Sequence, residues 1–142
     1  MLYFSYGMNT NPDSMAYRCP GARSLGHARL LEHSFRFAHH ADVVPAAGSF
    51  VDGVLWEITA EHLIALDYLE GYPHYYDRSQ QRVSLGRRIL SAKVYYMRPG
   101  QDDYPPSQYY LDHIMSGYAS HSVPTDQILN ALELVSEIPV DH

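Results

Sequence analysis

The sequence predicts an α+β domain, and three observations carry that prediction. Short runs rich in aromatic and branched side chains are broken by glycine and proline, as strands are. One central segment starts at a threonine, ends at a glycine and spaces its leucines helically, and two more segments near the C-terminal end repeat that spacing. At 142 residues the chain can bury one substantial core without disulfides or a structural metal, so a single domain over residues 1–142 is expected.

Leu2 to Tyr6 is short, aromatic and apolar, which suits a buried strand, and Gly7 ends it. Asn11 can cap a helix, Pro12 fits its first position and Asp13 favours its positive end, so a short helix through about Arg18 is expected before Pro20-Gly21. A strand, a glycine turn and a helix start point several backbone N–H groups into one concavity, a site for a carboxylate or an oxyanion. Strands are then expected at Ala22 to Leu31 and Ser34 to His39, with Ala41 to Ser49 a loop because of Pro45 and Gly48. Phe50 to Ile58 reads as a strong strand in which Gly53 marks a bulge or a close backbone approach.

Thr59 is a plausible N-cap for a helix over Ala60 to Glu70 with a stripe of Leu63, Leu66 and Leu69, Ile64 alongside. Glu70 falls four residues after Leu66, on the inward side, and just before the C-capping Gly71. Burial, the negative end of the helix and the nearby Asp67 are all expected to raise its pKa, the direction a proton-shuttling carboxylate needs. The loop Gly71 to Tyr76 carries three tyrosines that could wall a pocket. Strands follow at Tyr76 to Leu85 and Ile89 to Met97, turning at Gly86-Arg87, then a loop over Arg98 to Pro106. Helices are expected from Ser107 to Ala119, with Tyr110, Ile114 and Tyr118 on one face, and from Pro124 to Ser136, with a stripe of Ile128, Leu129, Leu132 and Val135. Ile138 to His142 reads as a frayed tail.

The formal net charge is −6, and Arg87-Arg88 is the one basic doublet, so nucleic acid is not an expected partner. Thirteen tyrosines suit a polar, small-molecule pocket as well as sheet faces. Cys19, the single cysteine, has no internal disulfide partner, which suits a reducing, cytoplasmic setting. The N-terminal residues lack a basic segment ahead of an apolar run, and no run is long enough for a membrane span, so neither a signal peptide nor a membrane is expected.

Three other chemistries find little support. His39-His40 with Asp42 is the nearest approach to a metal set, but adjacent strand residues point to opposite faces. No Gly-x-Ser-x-Gly is present and Cys19 lacks a catalytic signature. Gly7 is not followed by the glycines of a phosphate or dinucleotide loop.

Five short motifs in order, spanning residues 2 to about 120, resemble the gamma-glutamylcyclotransferase family, which includes AIG2-like proteins. Leu2-Tyr3-Phe4-Ser5-Tyr6-Gly7-Met8-Asn9 is similar to its LYFAYGSN-type opening and Val54-Leu55-Trp56 to its G-V-(V/L)-W strand. Leu66-Asp67-Tyr68-Leu69-Glu70-Gly71 resembles L-D-x-x-E-G, Val94-Tyr95-Tyr96-Met97 the Y-x-M strand, and Pro105-Pro106-Ser107-Gln108-Tyr109 the P-S-x-x-Y helix start. Met8 departs from the pattern, which most often has serine there.

The resemblance implies a small mixed β-barrel flanked by helices, with one cavity and no cofactor. It implies closure of a gamma-glutamyl group to 5-oxoproline with release of an amine or amino acid, Glu70 being the catalytic acid and base. By the same resemblance Tyr6, Gly7, Met8 and Asn9 hold the glutamyl end through backbone N–H groups and Tyr95 lines the pocket, with Tyr109 a further substrate-binding residue. Removal of a gamma-glutamyl protecting group and cyclisation of gamma-glutamyl-lysine are variants of this chemistry. The alternative is a non-catalytic module that binds a carboxylated metabolite, which an extra buried carboxylate such as Glu70 would not help.

Overall fold

The computed structural model describes residues 1–139; Val140 to His142, the end of the expected tail, lie outside the described residues. Five strands, β1 (Leu2–Ser5), β2 (Arg23–Ala38), β3 (His40–Glu57), β4 (Tyr76–Leu85) and β5 (Arg88–Met97), form a closed barrel in the order β1-β3-β2-β4-β5. All neighbours run antiparallel except β5 and β1, which close the barrel in parallel at Tyr3 and Lys93. Four helices flank it: α1 (Pro12–Arg18), α2 (Ala60–Glu70), α3 (Gln108–Ser120) and α4 (Asp126–Val135). The mixed barrel with flanking helices is the architecture that the family resemblance implied.

The two expected strands at Ala22 to Leu31 and Ser34 to His39 are one bent strand, β2, and the expected loop at Ala41 to Ser49 belongs to β3. Pairing runs from Leu31–Phe50 to His33–Pro45, so residues 46–49 stand opposite Glu32. Glu32 adopts φ 60° and Gly48 φ 79°, and the Gly48 N–H donates to Glu32 Oε2 at 2.7 Å. Residues 46–49, Gly48 among them, interrupt the ladder as a bulge without ending the strand, because cross-strand pairing resumes on both sides, at Pro45 and at Phe50. Gly53 marks a close approach instead: an added Cβ would meet the Ser5 carbonyl oxygen and lie 2.6 Å from the Phe4 ring.

Leu30, Val51, Val54, Leu55 and Val83 meet Phe4 in the core, each at most 0% exposed. Burial of this kind contributes roughly 1.5–3 kcal/mol per large apolar side chain. α3 buries Tyr110, Ile114 and Tyr118, as its spacing predicts. In α4 the inward stripe is Ile128, Ala131 and Val135, while Leu129 is 54% exposed, since i, i+3 and i+7 define the face. α2 is the least embedded helix: Leu66 is fully buried, but Ile64 and Leu69 of its expected stripe are exposed.

Candidate active site

The polypeptide between β1 and α1 makes a 3-10 turn over Met8–Thr10, and its neighbours use its carbonyls while sparing its amides. Thr10 Oγ1 donates to the Gly7 carbonyl at 2.8 Å, Ser5 Oγ to the Asn9 carbonyl at 3.0 Å and the Tyr118 hydroxyl to the Tyr6 carbonyl at 2.7 Å. Trp56 Nε1 in turn donates to Ser5 Oγ at 3.0 Å. Asn11 caps α1 by accepting from the Asp13 N–H at 2.9 Å, with Pro12 at the first helical position, as its sequence predicts. The amides of Gly7, Met8 and Asn9 have no hydrogen-bond acceptor among the described residues. Unpaired successive N–H groups are a site for negative charge.

Those residues line a cavity of about 190 Å³, and Glu70 lines it too. Among the described residues no hydrogen bond engages the Glu70 carboxyl, and neither of its oxygens is sealed off from solvent. Burial pushes its pKa up to about 7, against the opposing charge of Arg18. Asp67 does not contribute as expected, because its carboxylate is committed elsewhere. Arg78 chelates it at 2.8 and 3.2 Å, and the Tyr95 hydroxyl donates to Oδ1 at 2.7 Å. Burial raises the Asp67 pKa, but the bonds from Arg78 and Tyr95 and the Arg78 charge outweigh it, leaving the carboxyl below its ordinary range.

Tyrosines form much of the wall. Burial holds the phenols of Tyr3, Tyr6, Tyr76, Tyr95 and Tyr110 far above their ordinary pKa, so each stays neutral. Tyr6 donates to the Tyr95 carbonyl at 2.6 Å and Tyr76 to the Ala41 carbonyl at 2.7 Å. The Tyr110 hydroxyl instead accepts from the Ala41 N–H at 3.0 Å, so its own proton is still available to a ligand. It lies beside the turn: a Cβ added at Gly7 would sit 2.9 Å from it.

Tyr6, Gly7, Met8, Asn9, Glu70 and Tyr95 thus meet around one cavity. Tyr109 does not reach it. That ring is 78% exposed and stacks on His113, and the next residue, Tyr110, points inward, because the inner face of α3 passes through 110, 114 and 118. Tyr75 and Tyr76 of the Gly71 to Tyr76 loop line the cavity, whereas Tyr72 packs under the Arg78 guanidinium at 4.4 Å. Sequence reasoning missed Arg18, whose side chain returns from the end of α1 to the turn. Helix position alone carries no sign of this, since a last-turn arginine is common as a helix-end charge. His40, at the rim, hydrogen-bonds the Tyr75 hydroxyl at 3.2 Å. Its neighbour His39 stacks on Tyr104, and Asp42 accepts from the Met97 N–H and from Arg36. Among the described residues no group of three or more metal-ligating side chains gathers.

A family model described as gamma-glutamyl cyclotransferase, AIG2-like, matches residues 3–117. The chain belongs to this family. Its fold agrees with that of a solved gamma-glutamyl cyclotransferase, at a TM-score of 0.83 and 24% identity over 99% of this chain and 89% of that one. The same values hold for the Homo sapiens protein loc79017. YkqA from Bacillus subtilis aligns at a TM-score of 0.80 and 19% identity, covering 99% of this chain and 56% of that one. A curated relative, "Putative gamma-glutamylcyclotransferase CG2811" of Drosophila melanogaster, is 44% identical over 39 residues. That match spans 28% of this chain and 25% of the relative. No helix among the described residues is long and apolar enough to cross a membrane.

Proposed function

We propose that this protein is an enzyme that closes a gamma-glutamyl group to 5-oxoproline and releases an amine or amino acid. The observation that carries the reading is the pairing of two groups across one cavity: a carboxyl that burial raises to about 7 and a turn with three amides, both without hydrogen-bond partners among the described residues.

The chemistry follows from that pairing. The substrate folds so that its neutral α-amine reaches the γ-carbonyl carbon; a new C–N bond forms and the carbonyl oxygen takes the negative charge. Ionised Glu70 accepts the proton released by the attacking amine. The N–H groups of Gly7, Met8 and Asn9 stabilise the oxyanion, which they can do without reorganising because the turn is held on its carbonyl side. As the oxyanion collapses, the original C–N bond breaks and protonated Glu70 returns the proton to the leaving nitrogen. A pKa near neutrality lets one carboxyl serve both steps. Neutral tyrosines around it supply a polar wall without adding charge.

The test is release of 5-oxoproline over a panel of gamma-glutamyl amines and amino acids, with Glu70→Gln assayed alongside. Turnover of at least one compound by the wild type and a loss on the order of 100- to 10,000-fold in the variant is expected. Wild-type rates in Glu70→Gln would overturn the assignment of Glu70. Tight binding of a carboxylated metabolite without any turnover would favour the binding-module alternative.

A further inference from the structure

Arg18 is the only permanent cation among the described residues that line the cavity. Its guanidinium is held at two points by the turn it faces: Nη1 donates to Asn9 Oδ1 at 2.6 Å, and Nη2 to the Met8 sulfur at 3.4 Å. Asn9 is itself fixed, since its Nδ2 donates to the Tyr3 hydroxyl at 3.0 Å. Both acceptors are neutral, and Arg18 makes no ion pair within 4.0 Å among the described residues. A guanidinium offers five N–H donors, so this one is oriented, half-buried and still has donors to spare. An oriented cation that shares a cavity with Glu70 but forms no ion pair with it within 4.0 Å has the chemistry of a receptor for a further carboxylate.

We infer that Arg18 receives the α-carboxylate of the gamma-glutamyl group and makes that carboxylate a requirement for substrates. The inference rests on the cyclotransferase reading for the identity of the ligand. A gamma-glutamyl substrate brings a carboxylate into a cavity that already contains Glu70, and two carboxylates there need a compensating cation. Ring closure places the carboxylate on the new lactam ring, next to the attacking nitrogen. The leaving amine departs from the opposite side of the reacting carbonyl. The groups that tether Arg18, Met8 and Asn9, belong to the same turn that offers amides to that carbonyl oxygen, so the cation stands on the glutamyl side. This also gives a role to Met8, the departure from the family pattern: its thioether accepts from Nη2 and holds the fork in place.

Binding calorimetry separates this inference from the activity reading. The probes are 5-oxoproline and 2-pyrrolidinone, the same lactam without the carboxylate, titrated into the wild type, Arg18→Gln and Arg18→Lys. The wild type is expected to prefer 5-oxoproline by on the order of 10- to 100-fold. Arg18→Gln should lose that preference while binding 2-pyrrolidinone as the wild type does, which also reports an intact cavity. Arg18→Lys should retain part of the preference, because it keeps the charge but not the fork. If Arg18→Gln keeps the wild-type preference, or the wild type shows none, the inference is overturned. Should Arg18→Gln lose its cavity, Met8→Ala, which removes one tether, is expected to narrow the preference, and an unchanged ratio there overturns the inference.

A turnover arm compares gamma-glutamylmethylamine with gamma-glutamylglycine, whose leaving groups lack and carry a carboxylate. An equal loss in Arg18→Gln on both supports the glutamyl side, and a loss confined to gamma-glutamylglycine overturns it. A preference for 5-oxoproline without any release of it would leave Arg18 as a carboxylate receptor and remove the cyclotransferase reading.

Discussion

The Tyr95 hydroxyl donates to Asp67 Oδ1 at 2.7 Å and so ties the last turn of α2 to the barrel wall. Arg78 completes the tie from β4 with two bonds to the same carboxylate. Glu70 lies three residues further along that turn, on a helix in which Leu66 alone is fully buried. The position of the proposed catalytic carboxyl therefore depends on a neighbouring carboxylate that does not touch the reaction.

Asp67→Asn should cost about 1–2 kcal/mol of stability, since charged hydrogen bonds to Arg78 become neutral or are lost. Because the folded pKa of Asp67 is depressed, its contribution is present above the unfolded value of 3.8 and fades as pH falls through the folded one. Denaturant midpoints measured from pH 7 downward should show the two proteins converging in acid. Parallel curves would mean that ionisation of Asp67 contributes nothing to the gap, and coincident curves that the three-residue contact contributes nothing at all.

Glu70 has the opposite sign. Its folded pKa is raised from 4.5 to about 7, so the folded protein binds the extra proton and stability falls as pH rises between those values. Glu70→Gln should be more stable than wild type above pH 7, by on the order of 2–3 kcal/mol, with the gap closing toward pH 4.5. In the wild type, kcat/KM should rise with pH through an apparent pKa near 7 as the carboxyl ionises. A stability gap that does not change with pH would rule out a buried, titrating Glu70.

The turn should be sensitive to a methyl group placed far along the chain. A Cβ at Gly117 would collide with Thr10 Oγ1 and lie 2.6 Å from the Asn11 nitrogen, where backbone cannot easily give way. Gly117→Ala is expected to destabilise by about 1–3 kcal/mol and to raise KM by displacing the turn. An unchanged melting temperature would show that α3 does not press on the site.

Adjacent tyrosines should behave differently. Tyr109→Ala is expected to leave KM within about twofold, as its ring lies in solvent. Tyr110→Phe strips the acceptor from the buried Ala41 N–H, at about 1–3 kcal/mol, and removes a hydroxyl beside Gly7, so turnover should fall as well. Steady-state kinetics on the two variants would decide which tyrosine faces the ligand.

Features determined within a few residues were legible in the sequence by itself. Asn11-Pro12 starts α1, Thr59 and Gly71 bound α2, Gly86 turns β4 into β5, and Glu70 sits at an inward helix end, because capping, turn geometry and periodicity act over one or two helical turns. The motifs around Tyr6, Gly7, Asn9 and Glu70 also carried the family resemblance. Only the tertiary structure decided the rest. Pairing with β2 kept Pro45 and Gly48 within a strand, a choice that local propensity opposes and long-range ladder bonds settle. Partners distant in sequence drew Asp67 toward Arg78 and Tyr95 and left burial to raise the pKa of Glu70. Contact between the turn and the end of α1 brought Arg18 into the cavity, because the reach of a long side chain depends on what stands opposite it.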